Sequence, residues 1–254
     1  MKSRIAILSI ALCVLFSACF EVEEKTIFTS ADSGNFSLSI DMSKLLGQLK
    51  VFGGSEQFNS LPSSDTTIFF RGKITGDTTF SQQERELLAD GFMQLNINAD
   101  KDQMKAFFSA PFKSLSQVGS LRSALFKIIA QSGKTSIPNM PGAGPLGNSL
   151  AMIDLSSLGF AYKAGNGSII NTLTDSANLQ VLLEKDSVLQ QVKMIAPMLN
   201  IPSTYTRVFT FTKAIKTYSA SKGTLSTDNK TIIIKNDFQE LFENPKAFEY
   251  SIKY

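Results

Sequence analysis

The chain has no histidine and no tryptophan, and only two of its 254 residues are cysteines, Cys13 and Cys19. Without histidine it lacks the commonest general base and the usual imidazole metal ligand, and every triad built on Ser-His or Cys-His is excluded. Zinc, haem and thiol chemistry fall away with it, so the expectation is a non-enzyme with no metal and no cofactor. Long apolar runs are scarce as well. The one that stands out, Ile5 to Phe16, is shorter than the roughly 20 residues a membrane-spanning helix needs.

What is present at the N-terminus is an address. Lys2 and Arg4 precede the apolar run, and small Ser17 and Ala18 lead directly to Cys19, the layout of an export signal. Leu15-Phe16-Ser17-Ala18-Cys19 resembles a bacterial lipobox, with Phe16 where that family more often has leucine. The resemblance implies cleavage before Cys19, lipidation of Cys19 and tethering to the outer membrane. The alternatives are an ordinary cleaved signal with an incidental cysteine, or an uncleaved anchor. Two or three acyl chains anchor stably, at about 0.8 kcal/mol per buried CH₂. Cys13 leaves with the signal, so the mature chain holds one cysteine and no intramolecular disulfide.

Directly after the anchor point stands Phe20-Glu21-Val22-Glu23-Glu24-Lys25. Glu21, Glu23 and Glu24 resemble the acidic surface-export signal of Bacteroidota lipoproteins; read without that resemblance, they are the wet face of a first strand. The periplasmic and cell-surface faces of the membrane both stay open. Lys2 and Arg4 fall within the signal, so 23 basic residues face 22 acidic ones in residues 19–254, a formal charge of +1. Nucleic acid is not an expected partner, because its binders concentrate Lys and Arg in patches.

Alternation with a period of two marks half-buried strands. Phe36, Leu38 and Ile40 alternate with serines and Asp41; Met93, Leu95, Ile97 and Ala99 alternate with Gln and Asn; Phe248, Tyr250, Ile252 and Tyr254 close the chain in the same way. Further strands are expected at Val22 to Thr29, Thr67 to Lys73, Lys105 to Phe112, Val208 to Ile215 and Thr231 to Lys235. Helical spacing joins Leu115, Val118, Leu121, Leu125, Ile128 and Ile129, ended by Gly133, and then Leu182, Leu189, Val192, Ala196 and Leu199, kinked or ended by Pro197. A shorter helix is expected from Ser81 to Ala89, with Ser81 as N-cap and Glu84 completing a capping box.

The expected fold is therefore α+β, one domain over residues 19–254 after the 1–18 signal. Its antiparallel sheet, single or split into two subsheets, is covered on one face by amphipathic helices. The two ends echo each other: Asp32-Ser33-Gly34-Asn35, a strand and a helix capped by Asp41 before Leu45 and Leu46, then Thr227-Asp228-Asn229-Lys230, a strand and a helix capped by Asp237 before Leu241 and Phe242. On these ends the chain resembles a family of uncharacterised Bacteroidota lipoproteins, through Cys19 to Lys25, the Asp32 turn with Asp41-Met42-Ser43, and Asp228 to Tyr254. That resemblance implies an envelope location and no activity, and it does not reach the middle segment from Gln131 to Thr174.

Several spellings tempt. Gly142, Gly144 and Gly147 fit G-x-G-x-x-G, yet no strand precedes them and Pro141 and Pro145 interrupt the amides a phosphate would need. The surrounding loop, 132–149, is long and Gly/Pro-rich and carries Ile137, Met140 and Leu146, a candidate lid, partner contact or membrane flap against the plain reading of an insertion. Asp100 and Asp102 around Lys101 read as a hairpin turn, not a calcium loop. Asn166-Gly167-Ser168 and Asn229-Lys230-Thr231 read as turns. Phe107, Phe108, Phe112 and Phe126 line an apolar pocket or, more simply, pack the core. The leading functional expectation is a membrane-anchored, non-catalytic envelope protein that binds another protein or stabilises an assembly. A carrier or sensor of an apolar ligand is the alternative, and a carboxylate-based hydrolase the third.

Overall fold

Alternating burial organises the molecule into two sheets. A computed structural model describes residues 20–44, 47, 63–74, 77–131, 158–185 and 203–254. Cys19, the 132–149 loop with Ile137, Met140 and Leu146, Leu45, Leu46, Gly133 and the helical positions from Leu189 to Leu199 with Pro197 lie outside the described residues. The strands are β1 (Phe20–Phe28), β2 (Gly34–Asp41), β3 (Ser64–Phe69), β4 (Phe92–Asn98), β5 (Gln103–Phe112), β6 (Phe160–Gly165), β7 (Ser168–Leu173), β8 (Ser203–Thr210), β9 (Thr217–Ala220), β10 (Gly223–Leu225), β11 (Thr231–Asp237) and β12 (Tyr250–Lys253). The helices are α1 (Gln82–Leu88), α2 (Gln117–Gln131), α3 (Ser176–Lys185) and α4 (Glu240–Glu243).

The larger sheet runs β10-β11-β8-β1-β2-β5-β4-β3 and the smaller one β6-β7-β12-β9. Every neighbouring pair is antiparallel except β1 and β8, which lie parallel at the centre of the larger sheet. This is an α+β fold. In β2, Phe36, Leu38 and Ile40 all point inward, and in β4 Met93, Leu95 and Ile97 do the same. The cover of this inner face is shared. Helix α2 packs on β2 and β5, burying Val118, Leu121, Leu125, Phe126 and Ile128. Beyond it, rings carried by β12 and its flanks meet β1 and β8: Phe209 and Tyr250 are 5.5 Å apart, and Phe28 and Tyr254 are also 5.5 Å apart.

Local chemistry sets the boundaries. Ser81 caps α1 with the reciprocal Glu84 bond of a capping box. Asn166 (φ 52°) and Gly167 (φ 69°) turn β6 into β7, as a two-residue hairpin with both central residues left-handed requires. Asp102 (φ 50°) ends the 3₁₀ turn Ala99–Lys101 between β4 and β5, the turn expected there. Three expectations shift. The closing alternation is not all strand, because Phe248 belongs to the 3₁₀ turn Pro245–Phe248 and only Tyr250–Lys253 pairs. The expected strand Thr67 to Lys73 ends at Phe69, and the one from Val208 begins five residues earlier, at Ser203.

The echo between the ends is real in local contacts. Asp41 Oδ1 accepts from Ser43 N and Asp237 Oδ1 from Gln239 N, each at 2.9 Å. Asp237 holds the turn ahead of α4 and is not its N-cap, a place taken by Gln239. At the second end the turn joins β10 to β11, which pair antiparallel as β1 and β2 do, and β8 pairs with β11 on its other side.

Candidate functional site

Two strands carry charge where parity demands apolar residues. In β1, Glu24 shares its face with Val22, Thr26 and Phe28, and in β8, Arg207 shares its face with Tyr205 and Phe209. Glu24 and Arg207 are register partners across the parallel pair. Both are buried, as is Arg122, which α2 lowers onto them; exposures are 5% for Glu24, 3% for Arg122 and 1% for Arg207. Glu24 Oε1 accepts from Arg122 Nε at 2.6 Å and from the Tyr205 hydroxyl at 2.5 Å, and Glu24 Oε2 lies 3.7 Å from Arg207 Nε. Arg207 also donates to Asn236 Oδ1 at 3.3 Å, and its guanidinium lies 4.5 Å from the Tyr205 ring centroid and 5.3 Å from those of Phe248 and Tyr250. Asn236 and Asn171 donate to the carbonyls of Ala247 and Phe248, at 2.9 and 3.0 Å, which holds the Phe248 ring in place.

The electrostatics follow from this packing. Burial pushes the Glu24 carboxyl up, but Arg122 and Arg207 together with the Tyr205 hydroxyl outweigh it and hold the group below the usual glutamate range. Burial, reinforced by the Glu24 charge, drives Tyr205 far above the usual phenol value, and Tyr250 is pushed up to about 12. The cluster is thus one carboxylate, two guanidiniums and neutral phenols, with no group that exchanges a proton near neutrality. Tyr162 Oη and Arg207 Nη2 are buried with no hydrogen-bond partner among the described residues; a buried water commonly fills such positions. The arrangement locks the two sheets and α2 together.

Among the described residues, two of the clefts that open to solvent have linings of mixed polar and apolar character. One, of ≈ 590 Å³, lies between α1 and α2, with Arg122 and Tyr162 among its lining and Ser81, Ser116, Ser120 and Ser123 around them. The other, of ≈ 430 Å³, sits where β1 starts and is lined by Glu21, Asp41, Lys44, Lys101, Asp102 and Lys105 among others. There Lys44 Nζ is 3.2 Å from Glu21 and Lys105 Nζ is 2.8 Å from Asp41. Burial raises the Asp41 carboxyl, but bonds from Lys105 and Ser43 outweigh it and hold the group low. Among the described residues no three His, Cys, Asp or Glu side chains gather as metal ligands, and no helix is long and apolar enough to cross a membrane.

No family model, curated protein or solved structure matches the chain. Of the site residues read from sequence, Glu21, Glu23 and Glu24 are among the described residues. Glu21 and Glu23 lie on the exposed face of β1 as the wet-strand reading has them, whereas Glu24 departs from that reading, because strand parity turns it inward to Arg122 and Arg207. Phe108, Phe112 and Phe126 are core, as the simpler reading had it.

Phe107 is not core. It points out of the opposite face of the larger sheet, its ring 6.0 Å from that of Phe92, which lies 6.2 Å from Phe69. Phe69 is 69% exposed and ends β3, whose outer edge pairs with no other strand among the described residues. Sequence reasoning missed this row because its three members come from three strands, and each reads singly as core.

Proposed function

We propose that the chain is an envelope lipoprotein, tethered to the outer membrane through acylated Cys19, that acts by binding another protein and not by catalysis. The Phe69–Phe92–Phe107 row beside the outer edge of β3, unpaired among the described residues, carries this reading. Natural sheets normally blunt such edges, and an exposed apolar patch on a polar surface marks an interaction site. The partner that fits is an extended segment adding a strand alongside β3, with apolar side chains spaced to meet the rings. Phe107 lies level with Glu23 and, through Ser109 and Ser37, Phe92 lies level with Lys25. At about 3.3 Å per residue, the row stands roughly 10–17 Å beyond the start of β1, clear of a bilayer at Cys19.

The other readings gain less support. An apolar carrier needs a mostly apolar cavity, and the two clefts described are open and half polar in their lining. A hydrolase needs a carboxylic acid with a raised pKa, whereas Asp41 is held low by Lys105.

The test is photo-crosslinking in intact cells from residue 69, with residue 235 on the distant β11 as control. The expected result is one reproducible protein partner captured from position 69, absent from position 235, and lost when Phe92→Ser is added. Capture that is equal from both positions, or none from 69, would overturn the proposal.

A further inference from the structure

A cleft lined by Glu21, Asp41, Lys44, Lys101, Asp102 and Lys105 sits at the start of β1. We propose that it binds the zwitterionic phosphoethanolamine headgroup of a neighbouring lipid, an inference that rests on Cys19 being the acylated anchor.

Position is the first argument. Glu21, Asp41 and Lys105 form a row across β1, β2 and β5 in register, on the outward face, and Glu21 is two residues beyond Cys19. At about 3.3 Å per residue the two intervening steps span at most about 7 Å, which keeps the row within reach of headgroups of the leaflet that would hold the anchor. The turn between β4 and β5 brings Lys101 and Asp102 to the same end, and Lys44 follows β2 into its first helical turn. All the charged lining residues thus cluster at the end of the sheet where the tether emerges.

Charge is the second argument. The lining holds three carboxylates, Glu21, Asp41 and Asp102, and three ammonium groups, Lys44, Lys101 and Lys105. A simple anion would meet the carboxylates and a simple cation the lysines. A group carrying both signs satisfies both sets, its phosphate on Lys101 and Lys105 and its ammonium on Glu21 and Asp41. The internal pairs it has to compete with are half exposed: the Lys44–Glu21 side chains are 55% and 52% accessible and the Lys105–Asp41 side chains 50% and 31%. Solvent-exposed pairs of this kind contribute little to stability, so partners exchange at little cost. No bond is made or broken; the interaction is an ion-pair exchange.

The experiment is native mass spectrometry of the full mature lipoprotein in detergent, presented with phosphatidylethanolamine, with phosphatidylglycerol, which lacks the ammonium, and with tail-less glycerophosphoethanolamine. The expected result is a single phosphatidylethanolamine adduct, reduced about fivefold or more in the Lys101→Ala/Lys105→Ala variant and about fivefold weaker for phosphatidylglycerol, the factor that loss of about 1 kcal/mol gives. Glu21→Gln should narrow the preference for phosphatidylethanolamine over phosphatidylglycerol. An adduct unchanged in the double variant, with its urea midpoint confirming an intact fold, overturns the proposal, as does equal retention of the two lipids. Equal binding of glycerophosphoethanolamine overturns the lipid source in favour of a soluble phosphodiester. The same spectra report the acyl chains on Cys19: their absence removes the anchor reading on its own, while the adduct pattern judges the cleft.

Discussion

At the scale of single residues, Glu24 decides more than any other side chain described. One of its oxygens receives Arg122 and Tyr205 and the other faces Arg207, so Glu24→Gln keeps the shape while leaving two buried guanidiniums without their carboxylate. Removing one member of a buried ion pair typically costs about 3–5 kcal/mol, and a loss of about 3 kcal/mol is expected from urea unfolding at neutral pH. The pH dependence has a definite sign. The folded carboxyl lies below its ordinary value of 4.5, so its contribution is complete above that value and is lost as the pH falls through the folded pKa. The gap between wild type and Glu24→Gln should therefore narrow on acidification below about pH 4.5 and stay constant above it; a gap that widens in acid would contradict the assignment. Glu24 and Arg207 were hard to read as a pair because each breaks the apolar-inward rule alone. Only their shared parity with Val22, Phe28, Tyr205 and Phe209 signals that both point inward, and their partnership is made by tertiary register.

At the scale of elements, what was legible was what local chemistry determines. The capping box of α1 could be read from Ser81 and Glu84 alone because both partners lie within one turn, and Ser81→Ala should lower stability by about 1 kcal/mol, read as a shift of the urea midpoint. The first hairpin is set as tightly. A Cβ on Gly34 would stand 2.0 Å from the Ile27 carbonyl oxygen and 2.8 Å from Phe112 Cζ, so Gly34→Ala has to move backbone at the β1–β2 junction. The expected loss is about 3 kcal/mol, the upper end of overpacking costs, with Ala31→Ser at an exposed position of the turn as a near-neutral comparison. Less legible was the β6–β7 hairpin. Its Asn166-Gly167 turn is plain, but Ile169 and Ile170 are adjacent, and Ala161, Ala164 and Gly165 blur the alternation, so the flanks do not declare a period of two. The β8 boundary was displaced for a related reason: Arg207 masks the inward face, and the apolar signal starts only at Val208.

For the whole molecule, β1, which begins one residue after the proposed anchor Cys19, is the fifth of eight strands counted from β3, and it is paired on both flanks, with β2 and with β8. No local pattern could reveal this, since β1 and β8 are separated by most of the chain and their parallel pairing follows from the topology between them. Its consequence under the proposed anchoring at Cys19 is mechanical: an anchor one residue before a strand in the middle of a sheet would orient that sheet, with the start of β1 toward the membrane and the aromatic row held away from it. Cys19→Ala should then leave the fold unchanged, by its urea midpoint, while releasing the protein from the membrane fraction. Protease added to intact cells expressing the wild type distinguishes the two faces of the membrane: cleavage of a membrane-bound protein places the β3 edge outside the cell, and protection places it in the periplasm. If Cys19→Ala remains membrane-bound, the orientation argued from β1 loses its basis, and the partner of the aromatic row would have to be sought without it.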